Sequence, residues 1–156
     1  MATTLQDSQV TVTISEEKLQ GRTTGTTSKN HIASSAIREF IHAYRKISTG
    51  FTDLLEFKAS PTESGAQFDA DLVKHIRITN LDDSAEIGLA FVYGEQITGT
   101  VGTFTIKLRA GESFVMGNPI EWCYEVEGAP ERDLLKIRAR GLNLTTPDVE
   151  VVVASE

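Results

Sequence analysis

The fold is decided by the stretch Lys74–Met116, which reads KHIRITNLDDSAEIGLAFVYGEQITGTVGTFTIKLRAGESFVM. Apolar residues in it alternate with polar or small ones, beginning with Ile76 and Ile78. A two-residue apolar period is typical of a β-strand that has one face on a core. The alternation predicts four short strands in succession, at Lys74–Asn80, Glu86–Tyr93, Gly102–Leu108 and Ser113–Met116.

Turn sequences separate these strands. The three breaks are Asn80-Leu81-Asp82-Asp83, Tyr93-Gly94-Glu95 and Ala110-Gly111-Glu112. Glycine, asparagine and aspartate are the residues that tight turns favour, because they tolerate unusual backbone angles or bond to their own backbone. Nothing in the block resembles a reaction centre.

Composition and charge limit the class of protein. The chain has 156 residues and a mass of 17.1 kDa, which fits one domain with a substantial core. It is 40% hydrophobic and 24% charged, as a globular protein is, so general disorder is not expected. Its formal charge of −7 argues against nucleic acid and against an anionic membrane surface as partners, because both require a basic face.

The chain holds a single cysteine, Cys123. An intramolecular disulfide and a zinc cluster built from thiolates are therefore excluded. The first residues have neither the basic nor the apolar region of a signal peptide, and no apolar run reaches the roughly 20 residues that cross a bilayer. We expect a soluble protein that is made in the cytoplasm.

The N-terminal residues 1–35 are polar and rich in threonine and serine. Only Gln9–Ile14 is typical of a strand, whereas Leu19–Ser35 has almost no large apolar residues and is expected to be flexible. The sequence thus predicts an N-terminal arm with one strand at 1–35, followed by a β-sandwich domain at 36–156. We hypothesise that a neighbouring chain holds the arm.

The segment Ala36–Ser48 has two interpretations. Its apolar residues have an approximately helical spacing, at Ile37, Phe40, Ile41, Tyr44 and Ile47. A strand would instead place Ile37, Glu39, Ile41, Ala43, Arg45 and Ile47 on one side. The β-favouring side chains and the turn Ser48-Thr49-Gly50, which leads into Phe51–Lys58, favour a β-hairpin over a short helix.

Further strands are predicted at Ile120–Val126, Leu134–Arg140 and Glu150–Ala154, and a loop at Ala59–Ala70. The total is nine or ten short strands with almost no helix. This pattern is typical of an all-β sandwich or barrel, and we expect a two-sheet antiparallel β-sandwich.

Metal sites are not expected. The three histidines, His31, His42 and His75, lack the spacing of metal ligands. Five acidic residues could hold a structural calcium ion if the loops around the Lys74 strand meet, namely Asp69, Asp71, Asp82, Asp83 and Glu86. Their spacing matches no EF-hand, so solvated turn residues are the favoured interpretation.

No catalytic or cofactor-binding residues are predicted either, and the chain is not expected to be an enzyme. Cys123 lies in mid-strand between Trp122 and Tyr124, where a packed small side chain is favoured over a nucleophile. Nothing marks the carboxylates of Glu125 and Glu127 as an acid–base pair. Trp122 and Tyr124 could stack on a sugar, although their alternation with apolar residues favours the core.

Three segments resemble a pattern found in small virion proteins of tailed bacteriophages, especially aquatic phages. The first is the strand and turn His75–Asp83, HIRITNLDD, followed by the aliphatic strand Ile87–Phe91. The second is Lys107–Phe114, KLRAGESF, and the third is the C-terminal Glu150–Ser155, EVVVAS. With a polar, threonine-rich N-terminal strand, the resemblance covers most of residues 9–155.

The resemblance implies a jelly-roll-like sandwich that works as a capsid cement or decoration protein and stabilises contacts between major capsid proteins. Its partners would be the major capsid protein and copies of itself, as a dimer or trimer, with no nucleic acid, membrane or cofactor. Its location would be the capsid surface of the virion, after synthesis in the host cytoplasm. The alternatives are a head–tail neck or tail component, and a carbohydrate-binding module that uses Trp122 and Tyr124.

Overall fold

The computed structural model describes residues 8–17, 27–37, 39–58, 68–69, 72–94, 101–117 and 133–156. Every regular element in these ranges is a β-strand, which confirms the all-β prediction for this part of the chain. The strands are β1 (Ser8–Glu17), β2 (Thr27–Ile37), β3 (Glu39–Lys46), β4 (Thr52–Lys58), β5 (Phe68–Asp69), β6 (Val73–Asn80), β7 (Ile87–Gly94), β8 (Val101–Leu108), β9 (Ser113–Met116), β10 (Asp133–Gly141) and β11 (Asp148–Ser155). The predicted strand at Ile120–Val126 and most of the predicted loop at Ala59–Ala70 lie outside the described residues.

The strands form two main sheets and a separate two-stranded ribbon. One sheet has five strands in the order β5-β4-β10-β7-β8, and the other has four in the order β3-β11-β6-β9. Within the described residues, the short β4–β5 pairing is parallel and the other pairings are antiparallel. The expectation of two antiparallel sheets is therefore confirmed, apart from that pair.

One hydrophobic core lies between the two sheets. Ile76 and Ile78 of β6 meet Leu89 and Phe91 of β7 there, and none of these four side chains has exposed surface. The alternation of the sequence explains this arrangement, because successive side chains of a strand point to opposite faces. The sequence correctly placed the apolar members of β6 and β7, and Ile106 and Leu108 of β8, in this core, whereas Phe104 of β8 stacks on Phe91 and is 40% exposed.

The predicted hairpin over Ala36–Lys58 is half right. Both halves are strands, and the helical alternative is wrong, but β3 pairs with β11 while β4 pairs with β10 in the other sheet. The chain crosses between the sheets at the buried Ile47, whose backbone N–H donates to the Pro147 carbonyl at 2.9 Å. Alternation indicates which face a residue occupies and not which strand is its neighbour, so it could not distinguish this crossing from a hairpin.

Four such crossings gather at one end of the structure: β3–β4, β6–β7, β8–β9 and β10–β11. Backbone hydrogen bonds join them there. The N–H of Gly141 donates to the Ser48 carbonyl at 2.8 Å, and the N–H of Leu142 donates to the Glu86 carbonyl at 2.9 Å. This end, which we call the arch end, ties the two sheets together.

The ribbon consists of β1 and β2, which pair antiparallel with Val12 opposite Ile32. Composition predicted a flexible segment over Leu19–Ser35, and the structure instead has Thr27–Ser35 in β2, where the backbone pairs with β1. In the described residues the ribbon pairs with neither main sheet. Among all the residues that the structure describes, no helix is long and apolar enough to cross a membrane.

Candidate interaction face

The outer face of the four-stranded sheet carries the most exposed aromatic side chains that any described strand presents. Phe40 and Tyr44 on β3 are 57% and 65% exposed. Ile41 and Ala43, on the opposite side of the same strand, are partly buried and face the core. We call the outer side chains of β3 and their polar neighbours on β11 and β6 the β3 face.

A carboxylate organises the polar part of the β3 face. One oxygen of Glu150 on β11 lies 2.7 Å from Nε2 of His42, and the other accepts from Nη2 of Arg77 at 2.8 Å. The imidazole of His42 also lies against the ring of Tyr44, with 5.0 Å between the ring centroids. Glu150 therefore links three strands and holds His42 beside the exposed aromatic residue.

This arrangement orients a histidine but does not assemble a reaction centre within the described residues. A carboxylate that fixes an imidazole is one part of a nucleophile–base–carboxylate constellation, which also needs a hydroxyl or thiol on the ring. Among the described residues, no hydroxyl or thiol is hydrogen-bonded to His42. The geometry is that of a rigid aromatic and polar surface, which is suited to contact with another protein.

His75 lies on the same side of β6, two residues before Arg77, and is only 7% exposed. Its Nδ1 has no hydrogen-bond partner in the described structure. Burial, and secondarily the positive charge of Arg77, lower the pKa of His75 below its ordinary value. Both causes favour the neutral imidazole over the charged one.

β3 is also an edge strand, since it stands at the end of the four-stranded sheet with β11 on its one paired side. Its pairing with β11 runs over all eight residues without a register shift. Exposed edges of this length are templates for pairing with another chain unless something blocks them. The β3 face therefore borders an unpaired row of backbone groups in the described structure.

The resemblance motifs meet at Asn80, which is completely buried. Its side-chain Nδ2 donates to the carbonyls of Ala85 at 2.8 Å and Arg109 at 2.9 Å, and its Oδ1 accepts from the N–H of Asp82 at 3.2 Å. Its backbone bonds to Gly111 and Glu112. Asn80 thus joins the HIRITNLDD segment to the KLRAGESF segment, and both motifs have a structural role at the arch end.

Asp82 caps the turn that follows Asn80. Its Oδ1 accepts from the backbone N–H groups of Ala85 at 2.7 Å and Ser84 at 2.9 Å. These bonds lower the pKa of the Asp82 carboxyl, with the Ala85 donor as the largest cause. The Asp82 carboxylate therefore stabilises this turn. Glu86, which follows the turn, forms an ion pair with Lys107 at 3.0 Å.

The disfavoured alternative of a calcium site gains no support among the described residues, which hold no group of three or more potential metal ligands. Asp71 lies outside them. His42 and His75 are brought to one sheet face, while of His31 only the backbone in β2 is described. Cys123, Trp122, Tyr124, Glu125 and Glu127 also lie outside the described residues, so the predictions about them stand as they were made.

The outer face of the five-stranded sheet is mainly charged, and its arginines Arg138 and Arg140 lie over the ring of Phe51. Arg138 is bonded to Asp53, and Lys136 lies 2.7 Å from Glu56. The hydrogen bond to Glu56 is the main reason that the pKa of Lys136 is raised. Each such exposed ion pair contributes little to the free energy of unfolding, and the pairs are typical of a solvated surface.

Comparison with known proteins adds no further constraint: no family model, no curated protein and no solved structure matches the chain.

Sequence reasoning did not identify the β3 face. Phe40 and Tyr44 belong to the apolar spacing of the helical alternative, and the favoured strand interpretation assigns them no role; Glu150 and Arg77 are polar positions of predicted strands. The available signal was the strand interpretation itself, because a strand that buries Ile41 must turn two aromatic side chains toward solvent. Large aromatic residues on a solvent face are typical of binding surfaces.

Proposed function

We propose that the chain is a non-enzymatic structural protein of a tailed-phage virion, namely a capsid cement or decoration protein that binds copies of itself and the major capsid protein. The β3 face carries this proposal. It presents exposed aromatic side chains on a strand whose outer edge has no partner among the described residues, with a charged network beside them. Aromatic residues and arginine dominate the energetics of protein–protein contacts, and histidine and glutamate supply directional bonds at the rim.

The strand order supports a jelly-roll architecture. The strands β3, β11, β6 and β9 form one sheet, and β4, β10, β7 and β8 lie together in the other. Consecutive strands cross between the sheets at the arch end and follow the order of two Greek keys. Double-sheet jelly rolls of this kind occur in viral capsid domains, and also in lectins and cupins.

Charge and motif contacts add to the proposal. A net charge of −7 suits the outside of a shell, because a protein that lines packaged DNA would need a basic face. Two of the segments that resemble phage virion proteins, His75–Asp83 and Lys107–Phe114, make direct contact through Asn80. We propose that this contact belongs to the pattern that the resemblance describes.

The test is incorporation into particles. Virions of the phage whose genome encodes the chain are purified and digested, and its peptides are quantified by mass spectrometry against those of the major capsid protein. We expect a fixed ratio to the capsid protein, and immunogold labelling over the head. Labelling at the neck or tail would support the alternative virion location, and absence from purified particles would overturn the proposal.

A glycan panel separates the carbohydrate-binding alternative, since lectins share the jelly-roll architecture. Trp122 is the single tryptophan of the chain, so its fluorescence reports on a sugar stacked at Trp122 and Tyr124. We expect unchanged emission across the panel. A saturable change with one glycan would favour the alternative.

A further inference from the structure

We propose that β3 pairs with β3 of a second copy of the chain, antiparallel about a two-fold axis, so that two four-stranded sheets become one continuous sheet. This inference rests on the self-association in the proposed function and names the surface that performs it. The strand that pairs with the free edge of β3 therefore belongs to a second copy of the chain. A two-fold interface must be self-complementary, because the same residues appear on both sides.

The edge itself is open to such pairing. β3 runs for eight residues, Glu39–Lys46, without proline and without a bulge against β11. β3 has no proline, bulge or shortened strand to block edge pairing, but it does carry charged side chains, which discourage pairing with most other strands. A partner strand must therefore offer opposite charges to Glu39 and Arg45. A second strand added here would satisfy its outward backbone groups and continue the existing ladder.

The sequence of β3 is self-complementary when His42 lies opposite His42 of the second copy. On the outer side, Phe40 then faces Tyr44 of the second copy, and Tyr44 faces Phe40. Direct cross-strand neighbours have Cβ atoms about 4.5–5.5 Å apart, and aromatic pairs at that distance stabilise a sheet. The pairing would cover the two side chains that the isolated chain leaves 57% and 65% exposed.

The inner side is complementary in charge. In the same register Glu39 faces Arg45 of the second copy, and Arg45 faces Glu39, while Ile41 and Ala43 pair between them. Glu39 and Arg45 are exposed and make no ion pair with another described residue. The two-fold axis would give each of them an opposite charge.

Another register loses this match. A shift that keeps each side chain on its face moves the pairing by two residues and places Arg45 opposite Ile41, and Phe40 opposite Lys46. The charges at the two ends are then unpaired. Between Glu39 and Arg45, the alignment on His42 therefore pairs aromatic with aromatic, acid with base and small apolar with apolar; Lys46 at the strand end lies outside the matched pairs.

A charge exchange tests the pairing. Sedimentation equilibrium is measured for the full chain, for Glu39→Arg, for Arg45→Glu, for the double variant and for an equimolar mixture of the two single variants. Each single variant places like charges opposite each other twice, so we expect its dimer dissociation constant to rise about tenfold. The double variant and the mixture restore opposite charges and are expected to dimerise again.

A matched control is Lys107→Glu, an exposed charge reversal on β8, the long edge strand of the five-stranded sheet. It should leave the dissociation constant unchanged. A second measurement uses cysteines in a Cys123→Ser background: His42→Cys should form a disulfide-linked dimer on mild oxidation, whereas Tyr44→Cys alone should not, because only residue 42 faces itself. Circular dichroism verifies that each variant is folded.

The outcomes separate this inference from the proposed function. An oligomer that is indifferent to Glu39→Arg and Arg45→Glu would overturn β3 pairing, and so would weakening by Lys107→Glu alone; self-association would stand in both cases. A monomer at all concentrations would overturn the pairing and the self-association together. Detection of the protein in purified virions is independent of either result.

Discussion

The side-chain nitrogen of Asn80 lies 2.9 Å from the carbonyl oxygen of Arg109, and this bond fixes the end of β6 to the turn before β9. The same nitrogen reaches the carbonyl of Ala85 at 2.8 Å, so one buried amide connects three segments of the arch end. β6 and β9 lie in one sheet, whereas β7 and β8 lie in the other. Asn80 therefore acts as a link between the two sheets.

Replacing Asn80 should be strongly destabilising. Asn80→Ala leaves the carbonyls of Ala85 and Arg109 without this donor in a buried site, and we expect a loss of about 2–4 kcal/mol in the free energy of unfolding. Urea denaturation measures it. Thr79→Ala, one residue away and on the exposed side, is the control and should cost about 1 kcal/mol or less. Equal effects of the two changes would contradict the role of Asn80.

Asn80→Asp keeps the shape of the side chain but replaces the amide donor with a carboxylate oxygen. A carboxylate would face the carbonyls of Ala85 and Arg109, so its pKa in the folded state would be raised. The variant should be less stable than Asn80→Ala at neutral pH and should recover as the pH falls and the carboxyl acquires a proton. Stability that is independent of pH in this variant would show that the amide donor is not needed.

Leu144 should be a position where the native residue lowers stability. Asn143 and Leu144 have φ angles of 54° and 61°, and the N–H of Thr145 donates to the Leu142 carbonyl at 3.2 Å across them. Leu144 is 89% exposed, so no burial offsets the cost of its left-handed backbone. We expect Leu144→Gly to raise the free energy of unfolding by about 1 kcal/mol.

Gly141, at the start of the same loop, is a position where the native glycine should be required for stability. A Cβ at this position would lie 1.9 Å from the carbonyl oxygen of Thr145, so Gly141→Ala requires the backbone to shift. We expect a loss of about 1–3 kcal/mol in urea denaturation. A loop that accepts alanine at 141 and gains nothing from glycine at 144 would mean that its backbone differs from the one described.

Acid should destabilise the fold through His75. Burial and the charge of Arg77 lower its folded-state pKa, whereas the unfolded imidazole titrates near about 6.5. Between these two values the unfolded state binds more protons, so stability is lost as the pH falls below about 6.5 and is fully present above it. NMR titration of the imidazole should give a pKa below the ordinary value. His75→Gln should flatten the stability profile in this range, and an unchanged slope would assign it to another group.

The sequence predicted local structure well where alternation was strict. The bounds of β6 to β9 agree within one residue with the predicted strands, because Ile76, Ile78, Leu89 and Ile106 follow a period of two. Partners of strands were less predictable. The turn at Ser48–Gly50 has hairpin chemistry, yet the chain crosses to the other sheet there, since the contacts that decide it come from Pro147 and Gly141.

The β3 face could not be predicted from the sequence, because it depends on which strands are neighbours. That β3 is an edge strand follows from its place beside β11, more than a hundred residues later in the chain. The sequence places Asn80 at the end of a strand and the start of a turn without indicating its burial, which follows from the contact with the turn at Arg109. In both cases the decisive neighbour is distant in sequence, where periodicity gives no signal.

The central claim is that the protein works by associating with copies of itself, and the most direct test is its mass in solution. Light scattering is measured on the intact chain over a wide range of concentrations, and on a chain that lacks residues 1–35. We expect the intact chain to reach a mass of at least two chains of 17.1 kDa, and a lower average mass of the shortened chain would measure the contribution of the arm to self-association. A 17.1 kDa monomer at every concentration would contradict it.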